Sequence, residues 1–203
     1  TLVMLLPLAF LVAAWVGAGF LKWLTLYFLL TLAYSLYLKR VKMLDIVLLA
    51  SLYTLRIVAG AAAISVPLSS WLLAFSMFFF LSLSLVKRYA DLVALKSEGL
   101  HGTVPGRQYH PRDSRLILLS GLLSGLLSLV VLGRYIVSDD VLMLYNHAQL
   151  LWLAVPLVTA WVGRIWWAAH KGDIHSDPVL FVVEDRFSQA ALVLLVLTVG
   201  IAS

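Results

Sequence analysis

The amino-acid sequence predicts an all-α integral membrane protein, a bundle of about seven spanning helices, and three observations carry that prediction. Of its 203 residues 63% are hydrophobic and only 12% charged, against about 25% charged in an ordinary soluble domain. The mean hydropathy is +1.00, more apolar surface than a water-soluble core absorbs. Uncharged apolar stretches also recur along the whole chain, and roughly 17 to 20 such residues cross a bilayer as a helix. Cysteine is absent, which excludes disulfides and thiolate metal sites.

The elements follow in order. Leu2–Leu21 opens directly behind Thr1 with no initiator Met, no basic leader and no polar domain after it, so it reads as a span rather than a signal peptide. Trp23–Leu38 is a second uncharged run that ends in Lys39 and Arg40, and Ile46–Val66 is a third, broken by Arg56 alone. Leu68–Val86 runs into the basic pair Lys87-Arg88, and Lys87–Leu95 is expected to continue that helix into water. The long polar interruption Lys87–Arg115 contains Gly99-Leu-His-Gly-Thr-Val-Pro-Gly106, too polar to span and suited to a lid or substrate-facing loop. Leu116–Gly133, Ala148–Gly163 and Gln189–Ser203 complete the set. Gly121-Leu-Leu-Ser-Gly125 and Ala59-Gly-Ala-Ala-Ala63 are small-residue patches that let helices approach closely. Residues 1–203 are read as one transmembrane domain, expected to be the C-terminal part of a larger one.

Loops 39–42, 87–115 and 164–186 carry nearly all the Lys and Arg, while the opposite face has only Lys22 and Arg134. Positive loops stay cytoplasmic, so the expected location is the cell inner membrane, multi-pass, with those three loops inside. The net charge of +5 therefore reflects topology and attraction to anionic membrane lipids rather than nucleic-acid binding. Topology does not ask for the carboxylates on the same face, among them Asp45, Asp91, Glu98 and Asp185. Both signs together suit a metal-bridged phosphate site, in which carboxylates hold Mg²⁺ and Lys or Arg neutralise phosphate oxygens.

Three constellations could carry chemistry. In the first, a span ends in Lys39, Arg40 and Lys42 and the next begins behind Asp45. About three turns further on lies Arg56, with Tyr53 at i−3, a depth at which a charge faces a cavity or an ionic partner. It would present a phosphate ligand or pair with a carboxylate inside the bundle; a purely structural ion pair is the alternative. In the second, Lys87 and Asp91 stand at i, i+4 and Asp91 and Glu98 at i, i+7, which places a cation and two carboxylates on one helical face. That set suits Mg²⁺, which takes one or two carboxylates and fills its shell with waters and phosphate oxygens; an exposed helix with ordinary salt bridges is the alternative. In the third, Glu184-Asp185-Arg186 stands at the start of the last span, lining the same opening or merely beginning a solvated helix. The His170–Pro178 stretch lacks a dependable ligand register for a transition metal, and Trp161, Trp166 and Trp167 read as an interfacial aromatic belt.

Taken together, Tyr34-Ser-Leu-Tyr-Leu-Lys-Arg, Leu44-Asp-Ile-Val, Tyr53-Thr-Leu-Arg-Ile-Val-Ala-Gly, Lys87-Arg-Tyr-Ala-Asp-Leu and Asp177-Pro with Glu184-Asp-Arg resemble the UbiA superfamily of intramembrane transferases over nearly the whole chain. They look most like its decaprenyl-phosphate phosphoribosyltransferase branch. The resemblance implies a nine-helix bundle with a cavity open to the cytoplasm, where Mg²⁺ and Asp-rich motifs bind a diphosphate while a polyprenyl tail lies along a lipid-facing groove. Seven spans are visible here. The family's first Asp-rich motif has no match in this sequence, and the second is replaced by Lys87-Arg-Tyr-Ala-Asp91 with Glu98, which favours phosphoribosyl transfer over ordinary aromatic prenylation.

The implied function is Mg²⁺-dependent transfer involving a polyprenyl phosphate or diphosphate lipid, best read as phosphoribosyl transfer from phosphoribosyl diphosphate to polyprenyl phosphate. Prenyl transfer to an aromatic or other small acceptor is the alternative. The expected roles are Asp91 and Glu98 as metal ligands, Lys39, Arg40, Tyr53, Lys87, Arg88, Asp185 and Arg186 as substrate contacts, and Arg56 with Asp45 as catalytic cavity partners. A transporter would also use an intramembrane arginine, but its site sits near the midplane between repeated halves. Here the charges crowd one face and the chain has no repeat.

Overall fold

The computed structural model describes residues 2–97, 108–174, 181 and 183–202. Among them all regular structure is helical: α1 (Leu2–Val16), α2 (Ala18–Leu36), α3 (Leu44–Ala63), α4 (Ser70–Ser97), α5 (Ser114–Ile136), the short α6 (Asp139–Leu144), α7 (Ala154–Lys171) and α8 (Arg186–Ala202). Single 3-10 turns precede α3, α5 and α7, at Leu38–Arg40, Pro111–Asp113 and Ala148–Leu153. Each of the seven apolar stretches has become a helix. Five of these, counting the adjoining 3-10 turns, are long and apolar enough to cross a membrane, whereas α1 and α8 have 15 and 17 residues.

Boundaries moved where backbone chemistry outweighed charge. The first helix ends at Gly17, whose φ of +147° a side chain would resist, and Lys22 lies within α2 with its ammonium over the Trp23 ring. The sixth stretch begins as a 3-10 turn and continues to Lys171, so Arg164 lies within α7. Gly172, left-handed at φ +80°, then closes the helix by donating to the Ala168 and Ala169 carbonyls. As expected, α4 carries Lys87–Leu95; its 28 residues run about 42 Å at 1.5 Å each, beyond a core of about 30 Å.

The core lies between α4, α5 and α7, built around Leu85, Val86, Leu92, Ile117, Ile165 and Trp166. The small-residue patch on α5 is what permits it. A Cβ on Gly121 would come within 2.1 Å of the Trp166 ring. Polar groups tie the same contact: the Trp166 indole donates to Ser82 Oγ at 3.1 Å, Ser82 donates to the Gly121 carbonyl at 2.8 Å, and Ser124 donates to the Phe78 carbonyl at 2.8 Å. In an apolar surround such bonds and close packing hold helices together where burial of apolar surface gives no advantage over lipid. By contrast, α2 contributes no fully buried residue.

Candidate functional site

The basic ends of α2, α3 and α4 meet around a buried ionic cluster. Asp45, in the first turn of α3, is fully buried, and Arg88, five turns along α4, is 1% exposed. Arg88 Nε donates to Asp45 Oδ2 at 2.8 Å, and Nη1 donates to Asp91 Oδ2 at 2.8 Å. Burying charge is tolerated only when it is paired and hydrogen-bonded, and this guanidinium bridges two carboxylates. The Tyr34 phenol of α2 lies beside Arg88, Asp45 and Lys87.

Tyr109 completes the cluster from the connection leading into α5. Its hydroxyl donates to Asp45 Oδ1 at 2.5 Å and accepts from the Met43 N–H at 2.8 Å. Met43 has a φ of +68°, a conformation a non-glycine residue holds only when its surroundings require it. Burial, and then the bond to Asp45, push the Tyr109 phenol above its ordinary range, so it stays protonated and donating at neutral pH. The segment is tied down twice more: Lys42 forms an ion pair with Asp113 at 2.8 Å, and its ammonium stands 5.8 Å from the centre of the Tyr109 ring.

The remaining sequence-derived candidates fall in several places. Lys39 and Arg40 occupy the 3-10 turn after α2, Lys39 half-buried and Arg40 exposed. Lys87 is half-buried and within electrostatic reach of Asp91 and Tyr34. Glu98 lies outside the described residues. Arg56 and Asp45, both expected to face the cavity, stand apart. They share a face of α3, eleven residues or about 16.5 Å along the axis, but Asp45 pairs with Arg88. Arg56 is exposed and donates through Nε and Nη2 to the Tyr27 hydroxyl at 3.0 and 2.5 Å, its guanidinium 5.2 and 4.9 Å from the centres of the Tyr27 and Tyr53 rings. Side chains lean toward a helix N-terminus, which brings Tyr53 at i−3 under the guanidinium, and Tyr53 in turn stacks on Phe80.

Asp185 acts as the N-cap of α8. One oxygen accepts from Arg164 at 2.9 Å, and the other accepts from the Ser188 N–H at 3.0 Å and its hydroxyl at 2.8 Å. Burial raises this carboxyl's pKa, but the bonds from Arg164 and Ser188 outweigh burial and hold it below the ordinary carboxylate range. Arg186 is exposed at the first position of the helix.

For Mg²⁺ the donor set is thin. Among the described residues no three His, Asp or Glu side chains converge. Asp45 spends both oxygens on Arg88 and Tyr109, and Asp91 spends one on Arg88. These residues do not by themselves fit a metal; Asp91, its side chain 34% exposed, is the most exposed carboxylate of the cluster. Sequence reasoning missed Tyr109, which sits in a polar connection without periodicity, and Tyr27, whose partner is on another helix.

No family model matches the chain. It is 38% identical over 165 residues to an uncharacterized protein, y4nM, of Sinorhizobium fredii, covering 81% of this chain and 32% of that one. It is 32% identical over 145 residues to the nodulation protein NoeC of Azorhizobium caulinodans, covering 71% of this chain and 47% of the relative. It is 28% identical over 203 residues to a decaprenyl-phosphate phosphoribosyltransferase of Mycolicibacterium smegmatis, covering 98% of this chain and 63% of that enzyme. The chain thus spans between about a third and just under two thirds of the length of these relatives, and it is a distant homologue of a transferase.

Proposed function

We propose that this chain is part of a UbiA-type intramembrane transferase acting on a polyprenyl phosphate or diphosphate, and that its reaction is phosphoribosyl transfer from phosphoribosyl diphosphate to polyprenyl phosphate. The observation that carries the reading is Arg88. A guanidinium 1% exposed, at the membrane boundary, flanked by Lys87 and held by two carboxylates, is a preorganised anion contact. The likeness over almost the whole chain to a named phosphoribosyltransferase supports the choice of donor. The basic end faces the cytoplasm across the inner membrane, where a soluble sugar diphosphate is available.

In this reaction an oxygen of the lipid phosphate forms a bond to the anomeric carbon as the bond from that carbon to the diphosphate oxygen breaks. The diphosphate leaves with the bonding electrons. Lys87 and Arg88, with Lys39 and Arg40 at the rim, stabilise the charge that grows on the leaving group. Asp45 and Tyr109 hold Arg88 in place, so no reorganisation is needed as that charge develops. Mg²⁺, carried in by the sugar diphosphate as part of the substrate, would supply further charge neutralisation.

The test is the full-length protein in lipid, given polyprenyl phosphate with phosphoribosyl diphosphate, and separately polyprenyl diphosphate with an aromatic acceptor, each with and without Mg²⁺. A phosphoribosylated lipid formed only with Mg²⁺ is the expected result. Product only in the second arm would transfer the site to prenylation, and no product in either arm would end the transferase reading.

A further inference from the structure

The basic end of the bundle holds a second polar opening, on a different face of α4 from Arg88 and Asp91. Arg88 looks toward α2 and α3, where Tyr34 and Asp45 meet it. Tyr89, the next residue, looks toward α7, where Trp166 and His170 meet its ring. Val93 and Lys96, at i+4 and i+7 from Tyr89, continue that strip of the helix. Together with Ser97, Ser114 and His170 they line a cleft of 420 Å³, within the roughly 300–1,000 Å³ of small-molecule sites.

Its rigid part is an aromatic clamp. The buried Tyr89 ring stands 5.8 Å from Trp166 and 6.3 Å from His170, the latter nearly parallel at 9°, and the Tyr89 hydroxyl meets His170 Nδ1 at 3.0 Å. With that hydroxyl donating, the imidazole proton sits on Nε2, and an N–H there is a donor for an anion. Lys96 is exposed and enters none of the ion pairs among the described residues. No described residue lining the cleft is a carboxylate. Of the acids beside it in sequence, Asp113 is spent on Lys42 and the His110 N–H, and Asp173 lies past the end of α7. The charge of the cleft is therefore positive.

Depth narrows the ligand. At about 1.5 Å per residue the stretch from Ser70 to Tyr89 covers a hydrocarbon core of about 30 Å, and Arg134 over the Trp71 ring marks its far boundary. Tyr89 to Ser97 then rise through the headgroup layer at the basic end, where basic pockets between helices take lipid phosphates. We infer that this cleft is a second anion site, that its ligand is a phosphate group, and that Lys96 and His170 hold it, with the Ser114 hydroxyl as a further donor. Phosphate in this layer comes from an anionic phospholipid headgroup or from a soluble phosphate compound, and Leu92, Val93 and Pro111 give the cleft an uncharged wall for the rest of either. The site shares no residue with the Arg88 cluster, so it stands whether or not that cluster transfers anything.

The full-length protein in phosphatidylcholine nanodiscs is titrated with inorganic phosphate, read by phosphorus NMR. In a second arm the discs carry increasing phosphatidylglycerol, and bound lipid is counted by native mass spectrometry. Wild type is compared with Lys96→Gln, His170→Gln and the control Lys171→Gln, whose ammonium lies over the Trp167 ring outside the cleft. All are first matched in thermal stability in plain discs, and Ser114→Ala takes the place of His170→Gln if that variant fails the match. Both cleft variants are expected to lose about tenfold in affinity, or about 1.4 kcal/mol, in at least one arm, while Lys171→Gln equals wild type. A loss in the phosphatidylglycerol arm assigns the site to a lipid headgroup, and a loss in the inorganic phosphate arm to a soluble phosphate compound. Three results overturn the inference: no Lys96-dependent binding in either arm; an equal loss in Lys171→Gln, which means diffuse attraction to the basic end; or the second cleft variant binding as wild type does, which leaves Lys96 an ordinary surface cation.

Discussion

Removing Arg88 alone should destabilise the protein nearly as much as removing the Asp45–Arg88 pair as a whole. In Arg88→Met the fully buried Asp45 keeps only the Tyr109 hydroxyl as donor. Charges about 4 Å apart at an effective dielectric near 20 attract by about 4 kcal/mol, and leaving one partner of a buried pair costs about 3–5 kcal/mol. Loss of the second contact, to an Asp91 side chain 34% exposed, adds under about 1 kcal/mol. Asp45→Leu should fall in the same range, since Arg88 then retains Asp91 alone. The double variant Asp45→Leu/Arg88→Met strands neither charge, so its loss should fall short of the sum of the two singles by about 3 kcal/mol. Reversible unfolding in mixed micelles, run as a double-mutant cycle, measures that coupling. Additivity of the singles within about 0.5 kcal/mol would refute the claim that these two side chains form one buried unit.

Three further outcomes follow from the same geometry. Tyr109→Phe keeps the ring against Lys42 but removes the donor to Asp45 and the acceptor of the Met43 N–H, so unfolding should register a loss of about 1–3 kcal/mol. Gly121→Ala drives a Cβ into the Trp166 ring and should cost about 1–3 kcal/mol, whereas Gly163→Ala, with nothing within 4 Å of the added atom, should be neutral or stabilising by up to about 1 kcal/mol; equal stability of the two would contradict the close α5–α7 approach. Asp185→Ala should cost about 1 kcal/mol through the lost cap. Because the Asp185 pKa is held below its ordinary value, the ionic part of its contribution is fully present above about pH 4 and fades as pH falls further. The stability difference between wild type and Asp185→Asn should accordingly shrink below pH 4.

Much of the fold was legible because hydropathy is local. Every apolar stretch became a helix, and the extension of α4 past the basic pair was readable from Lys87–Leu95. The boundaries that moved, at Gly17 and from Gly163 to Lys171, depended on backbone conformation and on a 3-10 turn that hydropathy does not register. The i, i+4 spacing of Lys87 and Asp91 pointed to a polar face on α4, and Arg88 joins that face by pairing with Asp91 at i, i+3. On a helix both spacings bring side chains together, and only the third partner, Asp45, decides which cation turns inward.

The sequence by itself determined that this chain lies in a membrane, that its charge crowds one end, and that Lys87, Arg88 and Asp91 stand together there. Each of these follows from the cost of placing charge in hydrocarbon and from residues within a turn or two of one another. Tertiary structure alone decided that Asp45 belongs to Arg88, 43 residues away, that Tyr109, 64 residues from Asp45, closes the cluster, and that Arg56 rests on two tyrosines. Those choices are made where helices cross: a buried charge takes whichever complementary group the packing brings within about 3 Å, and nothing along the chain records which one that will be.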